Sequence, residues 1–209
     1  TTWTPSGEGT YNLTASITQT GGKISTISNT FEVTTNYDDI VVTALNGEVE
    51  VTPEAFTNHG DYAFPTHVNA YDSINMLYEH NCVNNDCDEY DRVSYCRVKN
   101  YRGEWVELYR YTTNFGRECS EELDMTDFTT ILQGLVEFEL YMESYDGSGI
   151  APNLIFEYRK GMPDYPYVDM QELWFGVFAF GDYDNLCPIP TRKIGFDPCV
   201  EKANLRIVY

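Results

Sequence analysis

The stretch Asn81-Cys82-Val83-Asn84-Asn85-Asp86-Cys87-Asp88-Glu89-Tyr90-Asp91-Arg92 follows the apolar run Ile74–Tyr78, and the rest of the chain is arranged around it. Its two cysteines stand five positions apart and bracket Val83, Asn84, Asn85 and Asp86, the last three being turn-favouring polar residues. After Cys87 come three acids and an arginine around one aromatic ring. If Cys82 and Cys87 are bonded, so small a ring adds only about 2 kcal/mol by chain entropy. The use of such a bridge is local. It fixes a tight loop from which the following carboxylates leave in one direction.

Outward from this stretch the chain reads as short strands between turns. Ser73–His80 is a strong strand. Val93–Val98 and Trp105–Thr112 flank Asn100–Gly103 and predict a hairpin. Val136–Glu143 alternates, with Val136, Phe138, Leu140 and Met142 on one face and Glu143 on the other. Ile40-Val41-Val42 precedes a turn at Asn46-Gly47, and Pro65 closes a short strand at Tyr62-Ala63-Phe64. Leu154–Tyr158 and Leu173–Phe180 complete the set, and Ala203–Tyr209 starts a fresh strand. The helical candidate is Asp127–Gln133, a short turn ended by Gly134.

Upstream, Thr10–Gln19 and Lys23–Val33 alternate about Gly21-Gly22 and predict another hairpin. An isolated hairpin is marginal in water, and this one resembles the closing strands of an immunoglobulin-like module. Many short strands with almost no helix predict an all-β sandwich or jelly roll.

The 209 residues suffice to bury a real core, and 42% hydrophobic with 15% aromatic residues describes a globular chain. Thirteen basic against 33 acidic side chains give a formal charge of -20, which argues against nucleic acid and anionic lipid as partners. No apolar run approaches the length of a membrane span, so no membrane insertion is expected. Six cysteines (Cys82, Cys87, Cys96, Cys119, Cys187 and Cys199) make an even count that fits an oxidising compartment, secreted or at the cell surface.

Zinc fails on spacing, with no Cys-x-x-Cys and no His-Glu-x-x-His. His59, His67 and His80 are scattered, and no His-x-His pair supports copper. Asp146-Gly147 and Asp182–Asn185 are fragments of calcium-loop patterns without the full ligand spacing. No metal and no cofactor is expected.

Cys-(four residues)-Cys-Asp-Glu-aromatic-Asp-Arg, after an apolar run, resembles the first domain of the peptide-N-glycosidase F family. The resemblance continues in order through Val98–Glu107, Leu123–Phe128, Leu140–Tyr145 and Gly161–Tyr167. It implies an eight-stranded antiparallel jelly roll and hydrolysis of the amide that joins a glycan to asparagine. The expected layout is a partial immunoglobulin-like hairpin over 1–36, the jelly roll over 37–186, and a linker with the first strand of a second jelly roll over 187–209. Both ends then look cut from a larger polypeptide.

By the resemblance, Asp91 stands at the principal catalytic aspartate and Arg92 at the arginine beside it. Glu143 matches a glutamate of the same cleft that assists substrate binding and catalysis. Tyr90 and Tyr145 replace tryptophans, keeping a ring for a sugar but losing area and the indole donor. The family's remaining catalytic glutamate lies in its second jelly roll. The bridge Cys82–Cys87 also comes from the resemblance.

For the other cysteines, Cys96 in a strand is paired with Cys119 in the loop after the next strand, and Cys187 with Cys199 around one Pro-rich loop. This is a hypothesis among the fifteen pairings that six cysteines allow. The implied partners are an N-glycan or N-glycoprotein and the second jelly-roll domain of the same polypeptide, within a larger surface or secretion assembly. The rival expectation is a non-catalytic glycan-binding, adhesion or structural module. In the plain alternative, Asp91-Arg92 is a solvated surface pair, Glu143 an exposed acid and Tyr145 a packing ring.

Overall fold

Ile74, Met76, Tyr78 and His80 point alternately into the interior of a ten-residue strand, Tyr71–His80, and this period of two sets the plan of the molecule. The computed structural model describes residues 9–33 apart from 19, 21 and 23, then 38–47, 52, 56–66, 70–165, 168–170, 172, 200 and 202–204. The chain divides into two units, Thr1–Asp39 and Ile40–Tyr209.

In the first unit, β1 (Gly9–Thr18) and β2 (Ile24–Val33) form an antiparallel hairpin, in register from Gly9 opposite Val33 to Thr18 opposite Ile24. Gly22 takes φ +79° in the turn, where a side chain would be strained. Hydroxyls pair across the exposed face, Thr14 with Ser28 at 3.1 Å and Ser16 with Thr26 at 3.3 Å.

The second unit is built from β3 (Ile40–Asn46), β4 (Thr57–Phe64), β5 (Tyr71–His80), β6 (Val93–Lys99), β7 (Trp105–Thr112), β8 (Cys119–Asp124), β9 (Gly134–Met142) and β10 (Asn153–Lys160). They form two four-stranded sheets in the orders β3-β10-β5-β8 and β4-β9-β6-β7, with every pairing antiparallel. This is the eight-stranded sandwich that the resemblance implies. The hairpin expected at Asn100–Gly103 is β6–β7, in register from Val93 opposite Thr112 to Lys99 opposite Trp105. A bulge between Cys96 and Arg97 places two β7 residues, Leu108 and Tyr109, into the core in succession.

The core lies between the sheets. Leu154, Phe156 and Tyr158 of β10 and Met76 and Tyr78 of β5 face Val98, Phe138, Leu140 and Met142, all nearly inaccessible. Phe64, Phe138 and Phe156 meet at centroid separations of 5.1–6.1 Å. Burying each such ring contributes about 2–3 kcal/mol. Met142 faces in, as its strand's alternation predicts.

Three expectations are corrected. The candidate helix Asp127–Gln133 is only a 3-10 turn, Thr126–Phe128, followed by further turns to Gly134 at φ +67°. Three consecutive β-branched residues, Thr129, Thr130 and Ile131, disfavour helix, while Met125, Phe128, Ile131 and Leu132 are all buried and hold the segment as a plug. Cys119 does not lie in a loop but opens β8, paired opposite His80. The expected bridge Cys96–Cys119 is absent, and both residues are free thiols. They sit on strands of opposite sheets, Cys96 in β6 beside β7 and β9 and Cys119 at the start of β8 beside β5. Burial pushes the Cys96 thiol well above the ordinary range. Cys187, Cys199, His67, the strands expected at Leu173–Phe180 and Ala203–Tyr209 and the Asp182–Asn185 turn lie wholly or mainly outside the described residues.

Strand β7 is an edge strand. The Glu107 main-chain N–H on that edge donates to the Glu172 carboxylate at 3.0 Å. At one end of the sandwich, register brings three connections together. The β5–β6, β7–β8 and β9–β10 connections all leave the same end of the sandwich, because His80 pairs with Cys119, Val93 with Thr112 and Ser94 with Met142.

Candidate functional site

The site begins with the bridge Cys82–Cys87, which the structure contains, with Cα atoms 5.0 Å apart. Asn84 and Asn85 turn its ring at φ +57° and +56°, a conformation asparagine tolerates better than most residues. The ring is a mould for the β9–β10 connection. Val83 N–H donates to Gly149 O at 2.9 Å, Ala151 N–H to Asn81 O at 2.8 Å, and Ser148 bonds Asp86 through both its N–H and its hydroxyl. Gly147 passes so close, at φ +76°, that a Cβ would stand 2.6 Å from Asp86 O and 2.9 Å from the Cys87 carbonyl carbon. Only glycine fits there.

Asp88, the residue after the ring, is 6% exposed. Its Oδ2 accepts from Arg92 Nε at 2.8 Å, Tyr145 N–H at 2.8 Å and Asp146 N–H at 3.1 Å. Its Oδ1 accepts from Tyr90 N–H at 2.9 Å, and its carbonyl oxygen accepts from Gly116 N–H at 2.9 Å. Burial acts to raise its pKa, but the Arg92 hydrogen bond and the three main-chain donors outweigh it and bring the group down to about 2.

The partner of Arg92 is therefore Asp88, four residues back, and not its neighbour Asp91. The guanidinium carbon lies 5.1 Å from the Tyr90 ring centroid and 4.6 Å from that of Tyr145, so two rings flank one cation. Its Nη2 is 3.7 Å from the Asp146 carboxylate. Both tyrosine rings are 53% exposed, and Tyr145 rests edge-on against Phe56 at 5.0 Å. Arg92 is fixed along its backbone too, by reciprocal 2.8 Å hydrogen bonds with Thr113. Phe115, in the same connection as Thr113, is also exposed.

Glu143 follows the last residue of β9. Its Oε1 accepts from the Tyr141 hydroxyl at 3.0 Å and its Oε2 from Val93 N–H at 3.3 Å. Burial, then the Glu143 hydrogen bond, pushes the Tyr141 phenol up to about 12. Asp91 is exposed, and its carboxylate has no hydrogen-bond partner among the described residues.

The structure thus brings Tyr90, Arg92 and Tyr145 into one contact group, with Glu143 held beside Val93 and Asp91 between the two residues that flank it in sequence. Asp88 and Phe56 were not among the residues singled out from the sequence. For Asp88 a signal existed, an acid directly after a short cysteine ring and four residues before an arginine. Chemically, the group offers two exposed ring faces, a cation held in a fixed orientation and two carboxylates. Such a set suits a neutral, hydroxyl-rich ligand with an amide carbonyl. Among the described residues no group of three or more His, Cys, Asp or Glu side chains is placed to hold a metal ion.

No protein-family model matches the chain. The peptide-N(4)-(N-acetyl-beta-D-glucosaminyl)asparagine amidase F of Elizabethkingia miricola is 36% identical over 114 residues, which are 52% of this chain and 32% of that protein. The chain thus covers about a third of that curated relative's length. A crystal structure of a peptide-N(4)-(N-acetyl-beta-D-glucosaminyl)asparagine amidase superposes with a TM-score of 0.57 at 29% identity, over 62% of this chain and 44% of that one. The glycosylasparaginase PNGase F from Flavobacterium meningosepticum gives 0.57 at 28%, over 63% and 45%. In sequence and in fold this β sandwich is similar to the peptide-N-glycosidase F proteins, whose jelly roll its two four-stranded sheets match.

Proposed function

We propose that this jelly roll is the amino-terminal half of an amidase that hydrolyses the bond between an N-glycan and asparagine. The observation that carries the proposal is the convergence, at one end of the sandwich, of Arg92, Tyr90 and Tyr145 around the buried Asp88 carboxylate, beside Asp91 and Glu143. Hydrolysing an amide requires an activated water, a group for the developing oxyanion and a proton for the leaving amine. Asp91, open to solvent, takes the role of the carboxylate that engages the attacking water. Arg92 presents its outer nitrogens to a carbonyl or sugar oxygen. Glu143, with both oxygens held, orients substrate, and the two rings take the sugar face. A second jelly roll of the same polypeptide supplies the remaining acid.

The disulfide fits a secreted or surface-exposed protein acting on N-glycoproteins. No helix among the described residues is long and apolar enough to cross a membrane. A non-catalytic glycan-binding module is the alternative. The two flanking rings and the arginine would serve it equally, without Asp91. The test is deglycosylation of a denatured N-glycoprotein by the full-length polypeptide, with Asp91→Asn as control. A mass change at asparagine that the variant does not produce supports the amidase. Sugar binding retained in both proteins without cleavage replaces it with the binding module.

A further inference from the structure

Four hydrogen bonds converge on one buried carboxylate at this end of the sandwich, and they come from two different parts of the chain. Tyr90 and Arg92 belong to the segment between β5 and β6, and Tyr145 and Asp146 to the segment between β9 and β10, more than fifty residues away. A fifth bond, from Gly116 N–H to the Asp88 carbonyl, adds the β7–β8 connection with its exposed Phe115. Arg92 also reaches all three connections, through Thr113, Tyr145 and Asp146, and Asp88 is the buried acceptor that its guanidinium is bonded to. The two aromatic rings are half-exposed, with Tyr145 resting edge-on against Phe56. Their backbone N–H groups and the guanidinium between them are all three bonded to Asp88.

We propose that Asp88 is the positioning residue of this site: its carboxylate sets the separation of Tyr90 and Tyr145 about Arg92 and so the width of the gap that receives a sugar. Asp88 touches no substrate. A carboxylate is required because every group around it is a donor, so an amide in its place would turn its NH2 toward N–H groups. The sugar part of this proposal rests on the glycan-site function above, whereas the ordering of the 143–149 connection does not.

The experiment is carried out on the full-length polypeptide and on Asp88→Asn, Asp88→Glu and Arg92→Gln. Hydrogen–deuterium exchange is followed in peptides covering 143–149 and, as an internal control, 154–158 in β10. Binding of N,N′-diacetylchitobiose is measured by calorimetry. Asp88→Asn should speed exchange in 143–149 with 154–158 unchanged, and weaken the disaccharide about tenfold or more, since a misplacement of about 1 Å at a site can cost far more. Asp88→Glu should recover part of both. Arg92→Gln should weaken the disaccharide while leaving the Tyr145 and Asp146 amides as protected as in the parent protein.

Unchanged exchange in 143–149 on Asp88→Asn overturns the proposal. Failure of both Asp88 variants to fold assigns the residue to the stability of the domain and overturns it as well. If the parent protein does not bind the disaccharide, the glycan-site function fails on its own, and the exchange data still decide whether Asp88 orders the connection.

Discussion

Glu143 and Val93 hold each other by both ends: the Glu143 N–H donates to the Val93 carbonyl at 3.2 Å, and the Glu143 carboxylate accepts from the Val93 N–H at 3.3 Å. The pair joins the end of β9 to the start of β6, one residue after Arg92. It makes the acid both a site residue and a fastening.

Substitutions can separate these two roles. Glu143→Gln keeps an acceptor for Val93 and a polar partner for Tyr141, so urea unfolding should move by less than about 1 kcal/mol. Glu143→Ala leaves two donors unsatisfied and should cost about 1–3 kcal/mol. If the charge matters to the amidase, the Gln variant of the full-length polypeptide should lose about 10²-fold or more in kcat/KM for a glycopeptide.

Asp91 is open to solvent and unbonded among the described residues, so Asp91→Asn should change stability by no more than about 0.5 kcal/mol. Loss of deglycosylation of about 10²–10⁴-fold should accompany that unchanged stability. Paired thermal melts and mass-shift assays on the same preparation check both halves.

Acid should destabilise the fold in two windows. Burial, outweighing a raising effect from Glu118, lowers the His80 pKa from 6.5 to about 4. Its neutral form, bonded to the Tyr111 hydroxyl at 3.0 Å, is the native one. Because the folded pKa lies below the unfolded one, this contribution is complete above pH 6.5 and declines as pH falls toward about 4. The slope it adds is at most about 1.4 kcal/mol per pH unit. Asp88, depressed from 3.8 to about 2, adds a second loss as pH falls through that lower range. Urea midpoints at pH 7, 5 and 3 should fall in sequence, and His80→Gln should flatten the step between 7 and 5.

The bridge Cys82–Cys87 closes a ring of a few residues, so reducing it should cost only about 2 kcal/mol. Gly147→Ala should destabilise at least as much, because left-handed backbone alone costs about 1–2 kcal/mol and its Cβ would stand 2.6 Å from Asp86 O. Both changes should loosen the connection that carries Tyr145, which limited proteolysis at 143–149 would register.

The two free thiols should differ in reactivity. Cys96 is 2% exposed with its pKa driven far up by burial, whereas Cys119 is half-buried at the start of β8. A thiol reagent followed by peptide mapping should label Cys119 in the native protein and Cys96 only after unfolding. A Cys96–Cys119 linked peptide would contradict the structure.

Strands were legible because their alternation carries the inside–outside pattern directly. Val136, Phe138, Leu140 and Met142 occupy the inner positions that their spacing assigns. Strand β8 was not, since Cys-Ser-Glu-Glu-Leu-Asp is an edge segment with only Cys119 and Leu123 partly covered, and edge strands need little apolar periodicity. In the site, the residue types around Arg92 were legible and their connections were not. Which acid holds the arginine depends on a loop fifty residues later returning to donate two N–H groups, and no local spacing encodes that return. The thiol pairing failed for the same reason, because proximity in strand order does not say which sheet a strand joins.

The Glu172 carboxylate on the outer N–H of Glu107 bears on the behaviour of many copies together. An edge strand's free donors invite another chain to add itself as a further strand. Here a charged side chain already occupies one of them, so an incoming copy would have to displace it and face repulsion from a chain of net charge -20. The stopper leaves β7 a poor seed for aggregation in concentrated solution.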